Sequence, residues 1–102
     1  MEFGNGKKNS IIKCLADHAE DIRKRFAVKD LAIFGSVIRD NVDEARDVDV
    51  LVVFEGRANF DRYMDLKFYL EDLLNMKVDL VTQGALRPRL RPGIEREAIH
   101  VA

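Results

Sequence analysis

Residues 47–54, Asp47-Val-Asp-Val-Leu-Val-Val-Phe54, decide the fold. The β-branched second half is apolar at every position, as expected of a strand covered on both faces and placed centrally in a sheet. Upstream, Asp30-Leu-Ala-Ile-Phe34 is a short apolar run stopped by Gly35, which reads as a strand entering a turn, with a brief helix expected from Ser36. Downstream, Lys77-Val-Asp-Leu-Val-Thr82 reads as a third strand. Between them, Asn59 to Leu74 offers an Asn cap, Asp61 in its first turn and apolar residues at helical steps, so a long helix is expected there.

Ser10 to Phe26 carries Ile11, Ile12, Leu15, Ala19, Ile22 and Phe26 at three- and four-residue intervals, which predicts one helix with Ser10 or Asn9 as its cap. At the other end, Pro88 and Pro92 punctuate a basic stretch, and Gly93 to Val101 is expected to form a terminal helix. Helix, strand, short helix, strand, helix, strand, helix is the order of an α/β sandwich: a small mixed sheet of three to four strands flanked by helices.

At 102 residues the chain fits a single domain, 1–102, with residues 1–9 expected to form a flexible N-terminus. Hydrophobic residues at 47% and charged ones at 34% exclude a disordered tail or a low-complexity linker. No apolar run reaches the roughly 18 to 20 residues of a membrane span, and residues 1–10 lack the apolar stretch of a signal peptide, so a cytoplasmic protein without a membrane partner is expected. The lone Cys14 can form no internal disulfide, and its apolar neighbours favour a core role.

Net charge is −1, and no basic stripe is interleaved with aromatic residues, so no direct nucleic-acid partner is expected. Charge is uneven along the chain. Asp40, Asp43, Glu44, Asp47 and Asp49 stand against Arg46 alone, whereas Arg87, Arg89, Arg91 and Arg96 face only Glu95 and Glu97. An acidic cluster can bind cations and a basic stretch can meet an acidic partner, although either can equally be solvated surface. His18, His100, Tyr63 and Tyr69 have no ligand-spaced partners; the histidines are expected at the surface and the tyrosines in the core or against a partner.

Three carboxylates break otherwise apolar strands. Burying an unpaired carboxylate costs several kcal/mol, so Asp47, Asp49 and Asp79 each need a cation or a wet strand end. Residues two apart in a strand share a face, so Asp47 and Asp49 point together, and Asp79 on the next strand can converge with them. Hard oxygen donors on one face suit Mg²⁺ or Mn²⁺ with room left for water and phosphate. Strand-end solvation remains open for the Asp47–Asp49 pair alone, and the third acid shifts the balance. Gly35-Ser36, between a strand and a helix start, offers backbone N–H groups to an anion. Ser36 as a plain helix cap is the competing explanation, but three residues on stands Arg39 rather than the acid or amide of a capping box.

Gly35-Ser36, ten intervening residues, then Asp47-Val48-Asp49 resembles the G-S-x10-D-x-D signature of the minimal nucleotidyltransferases of the DNA polymerase beta-like superfamily. The similarity extends through Leu31-Ala-Ile-Phe-Gly-Ser-Val-Ile-Arg39, through Asp47 to Phe54 and to Val78-Asp79-Leu80-Val81, and less specifically to the C-terminal end. Two positions depart from it: Asp40 stands where Gly commonly follows the arginine, and Arg46 where Ser often precedes the first acid.

The resemblance implies a nucleotidyltransferase fold and a metal-dependent transfer of AMP from ATP to a hydroxyl with release of pyrophosphate. By position it makes Asp47, Asp49 and Asp79 the catalytic and metal-binding acids, with two Mg²⁺ ions, or Mn²⁺, as cofactors. Gly35, Ser36 and Arg39 become the nucleotide- and phosphate-binding residues. It also implies a role as the antitoxin that modifies a tyrosine of a HEPN-domain RNase toxin encoded nearby, in a hetero-oligomer with it. A catalytically silent antitoxin that covers its toxin, or a nucleotide-binding module without turnover, is the alternative.

Overall fold

The computed structural model describes residues 6–35, 47–57 and 59–102, and the helix expected from Ser36 lies outside them. In chain order the elements are α1 (Gly6–Asp17), α2 (Ala19–Phe26), β1 (Val28–Phe34), β2 (Asp47–Phe54), α3 (Phe60–Leu74), β3 (Lys77–Thr82), a 3-10 turn (Gln83–Ala85), α4 (Arg91–Glu97) and β4 (Ile99–His100).

The single helix expected over Ser10–Phe26 is two helices. His18 is the break: its backbone N–H bonds to Leu15 O, 3.2 Å away, while its ring Nδ1 lies 2.8 Å from Cys14 O and takes the carbonyl that a continuous helix would offer the backbone. This bond leaves His18 half-buried rather than free at the surface. α1 also begins at Gly6, ahead of the expected caps, and residues 6–9 form its first turn. The apolar spacing survives the break, since Ile11 and Leu15 of α1 and Ile22 and Phe26 of α2 are all buried.

β2 has the expected bounds and an interior position in a four-stranded mixed sheet of order β3-β2-β1-β4. It pairs antiparallel with β1, setting Phe34 opposite Asp49, and parallel with β3, setting Asp49 opposite Asp79. Alternation along the strands sorts two cores. Val48, Val50 and Val52, with Leu31, Ile33, Val78 and Leu80, face α1, α2 and α3, where Leu66 and Leu70 of α3 are fully buried. Ala32, Phe34 and Leu51 face the other way, against Val81, Leu86, Ile94 and Ala98.

α3 starts as expected: Asn59 Oδ1 accepts from Arg62 N at 2.8 Å. Tyr63 packs on the first core and its hydroxyl donates to Leu80 O of β3, while Tyr69 lies 5.2 Å from Phe26 and donates to Asp21 Oδ2 at 3.0 Å. Burial first, and then the Asp21 bond, push the Tyr69 phenol above its ordinary range.

The terminal helix expected over Gly93–Val101 is shorter and earlier. α4 starts at Arg91, with Pro92 in its first turn where a missing N–H costs nothing, and ends at Glu97 because Ala98 turns extended. Ile99 and His100 then form an edge strand on β1, pairing with Ile33 and Ala32, and Val101 N donates to Leu31 O at 2.8 Å. The open edge of β1 supplies what the helix would have lost. His100, exposed as expected, is clasped to Asp30 Oδ1 at 2.8 Å. Among the described residues, no helix is long and apolar enough to cross a membrane.

Candidate active site

The alternation that buries Val48 and Val50 turns Asp47 and Asp49 to the opposite face, the one that also carries Leu51. In-register parallel pairing sets Asp79 beside Asp49, one strand spacing of about 4.8 Å away. Asp47 and Asp79 are exposed and Asp49 half-buried, so all three sit where the strands begin rather than in a dry core. The structure therefore brings the three acids to one sheet face. It also places Asp47 opposite Lys77.

Gly35, buried at the end of β1, reaches this cluster because Phe34 stands opposite Asp49. Its φ of +82° is open to glycine and strained for other residues, and a Cβ there would lie 2.0 Å from Asp49 Oδ2. The missing side chain is thus a fitted space against the carboxylate. Gly35 N–H donates to Glu97 Oε1 at 3.3 Å, which ties the turn to the last residue of α4. Ser36 and Arg39, and the departures Asp40 and Arg46, lie outside the described residues.

On the outer side of β3, Asp47 and Asp79 line an open cleft of about 420 Å³ with Lys67, Glu71, Lys77 and Val78. Glu71 Oε2 accepts from Val78 N at 3.0 Å and from Lys67 Nζ at 3.2 Å. The Val78 bond first, and the lysine second, hold its carboxyl below the usual glutamate range. Glu71 thereby closes an edge-strand N–H directly before Asp79. Neither Glu71 nor Glu97 carries a motif that would reveal it in the sequence, because Gly35 and Glu97 are separated by 62 positions. The basic segment stays exposed at Arg87, Arg89, Arg91 and Arg96, and Arg91 pairs with Glu95 at 3.0 Å.

Among the described residues, no three His, Cys, Asp or Glu side chains converge into a ready-made metal cage. The donor set nevertheless fits a hard divalent cation of the Mg²⁺ type, which is held by one or two carboxylates and completes its shell with water and substrate phosphates. The space left by the Gly35 side chain is taken up by the Asp49 carboxylate, which therefore lies directly against the turn backbone.

A mixed sheet thus carries carboxylates at its strand starts beside a glycine turn, the arrangement that the resemblance to the nucleotidyltransferases leads one to expect. The nucleotidyltransferase domain model matches residues 15–101, and the chain belongs to that family. It is 37% identical over 87 residues to the protein adenylyltransferase MntA of Thermococcus cleftensis, covering 85% of this chain and 88% of that protein. Among solved structures, a minimal nucleotidyltransferase superposes with a TM-score of 0.74 at 35% identity, over 86% of this chain and 90% of the other. An MNT antitoxin in complex with the tri-AMPylated HEPN toxin of Shewanella oneidensis shares the fold, with a TM-score of 0.56 at 19% identity over 98% of this chain and 72% of the other.

Proposed function

We propose that this nucleotidyltransferase is an antitoxin that transfers AMP from ATP to a tyrosine hydroxyl of a HEPN-domain toxin. The observation that carries the chemistry is the in-register pair Asp49–Asp79, with Gly35 seated against Asp49. The choice of acceptor is supported by the relative named a protein adenylyltransferase and by the structural neighbour whose toxin partner carries AMP.

In this reading Asp47, Asp49 and Asp79 would hold Mg²⁺, two ions in all, and when bound these would supply neutralisation of the triphosphate and of the negative charge that develops during transfer. Gly35 lets the nucleotide phosphates approach the backbone, Ser36 donates hydrogen bonds to them, and Arg39 steadies the triphosphate. The tyrosine oxygen forms a bond to the α-phosphorus as the bond from that phosphorus to the bridging oxygen breaks, and pyrophosphate departs. Asp79, exposed at the start of β3, accepts the hydroxyl proton. The exposed arginines from Arg87 to Arg96 contact the partner protein.

Co-expression with the toxin tests the reading against a silent antitoxin. Asp47→Asn together with Asp49→Asn abolishes protection if transfer is the mechanism, whereas protection by that variant at wild-type abundance would leave only steric cover.

A further inference from the structure

The carboxylate of Glu97 holds the backbone N–H of Gly35, at the turn where the proposed function brings the nucleotide phosphates close to the backbone. Gly35 N–H donates to Glu97 Oε1 at 3.3 Å. An N–H has one hydrogen and serves one good acceptor at a time. Gly35 is buried, and a buried donor without a partner is costly, so its N–H requires an acceptor, which Glu97 supplies. A carboxylate oxygen is the nearest match in the protein to a phosphate oxygen.

The surroundings favour exchange over a permanent clamp. α4 itself is fixed: Ile94 and Ala98 pack with Ala32, Phe34 and Leu51 on the second face of the sheet. Glu97 is half-exposed, so its side chain can swing into water without moving the helix. Its bond to Gly35 is at the long end of the hydrogen-bond range and therefore weak. Asp49 already lies against the other side of Gly35, and a triphosphate arriving there would meet two carboxylates, of which only Glu97 is outside the proposed metal-binding set.

We infer that Glu97 is an internal competitor for the nucleotide, a carboxylate that holds the Gly35 N–H in the empty protein and sets nucleotide affinity by having to leave it. The inference rests on the nucleotide-binding role proposed above. It assigns to α4 an affinity-setting function in addition to covering the sheet.

The test is calorimetric binding of adenosine 5′-(β,γ-imido)triphosphate with Mg²⁺ to the whole chain, its Glu97→Ala and Glu97→Gln variants, and Glu95→Gln. Glu95 lies two residues away on the same helix and is committed to Gln83 and Arg91, so its variant controls for loss of a nearby charge. Glu97→Ala is expected to bind about three- to ten-fold tighter, Glu97→Gln less so, and Glu95→Gln like the parent. Without nucleotide, Glu97→Ala is expected to melt lower because Gly35 N–H has lost its acceptor. Tighter binding joined to lower intrinsic stability is a combination that a purely structural residue does not produce. Weaker binding by Glu97→Ala that Glu97→Gln restores would overturn the inference and make Glu97 a clamp for the bound state. Unchanged binding would overturn it as well, with the nucleotide-binding reading intact. Absence of binding in the parent and every variant would instead remove that reading, and this inference with it.

Discussion

Gly35 and Asp49 share a space that no side chain larger than hydrogen can enter, since a Cβ on Gly35 would lie 2.0 Å from the Asp49 carboxylate. Gly35→Ala combines that clash with a left-handed backbone angle. It is expected to destabilise the fold by about 1–3 kcal/mol. By displacing Asp49 it should also lower the rate of AMP transfer by about 100-fold or more. Thermal melting and single-turnover rates, measured on the same preparation, check the two effects separately.

Asp79 is expected to pull activity and stability in opposite directions. It stands in register with Asp49 on the neighbouring strand, and like charges in that relation repel. Asp79→Asn removes the repulsion at nearly constant shape, so the free energy of unfolding should hold or rise by about 0.2–1 kcal/mol. Transfer should fall by about 10² to 10⁴, the range of a lost general base. A large drop in stability would mean that Asp79 is a structural acid.

Ala27 ends α2 in the left-handed region, at φ 53° and ψ 50°. That conformation costs a non-glycine residue about 1–2 kcal/mol. Glycine returns part of the gain, about 0.4–1 kcal/mol, through its freer unfolded chain. Ala27→Gly is therefore expected to stabilise the protein by up to about 1 kcal/mol, read from denaturant midpoints, without altering activity. Asn75, at φ 54° after α3, is already a residue type that tolerates this region.

Glu71 supplies a pH dependence. Its folded-state pKa lies below the ordinary value of 4.5. Its contribution to stability is therefore complete above that value and disappears as the pH falls below it, through the lowered pKa. Glu71→Gln should melt below the parent at neutral pH, and the gap should close in acid. A gap that persisted unchanged in acid would mean that the charge on Glu71 contributes nothing through Val78 and Lys67.

The strands and the acids were legible because local pattern and tertiary environment agree along them. β2 and β3 run from Asp47 to Phe54 and from Lys77 to Thr82 as their β-branched content demands, and one face of each strand start is wet enough for Asp47 and Asp79 to be exposed. The helix ends were less legible because single contacts decide them. The ring of His18 takes the Cys14 carbonyl and divides α1 from α2, and the open edge of β1 draws Ile99 and His100 out of the expected helix. Glu97 on Gly35 and Glu71 on Val78 are products of packing between distant segments, and neither follows from spacing. Ser36 and Arg39 remain assigned by resemblance.

Transfer of AMP to a protein is tested most directly by intact-mass spectrometry of the HEPN-domain toxin after incubation with this chain, ATP and Mg²⁺, beside a parallel reaction with Asp47→Asn and Asp49→Asn combined. The expected result is a mass gain in whole AMP units that is absent from the variant reaction and lost when the acceptor tyrosine is replaced by phenylalanine. A toxin that is bound and silenced at unchanged mass would contradict transfer as the mechanism.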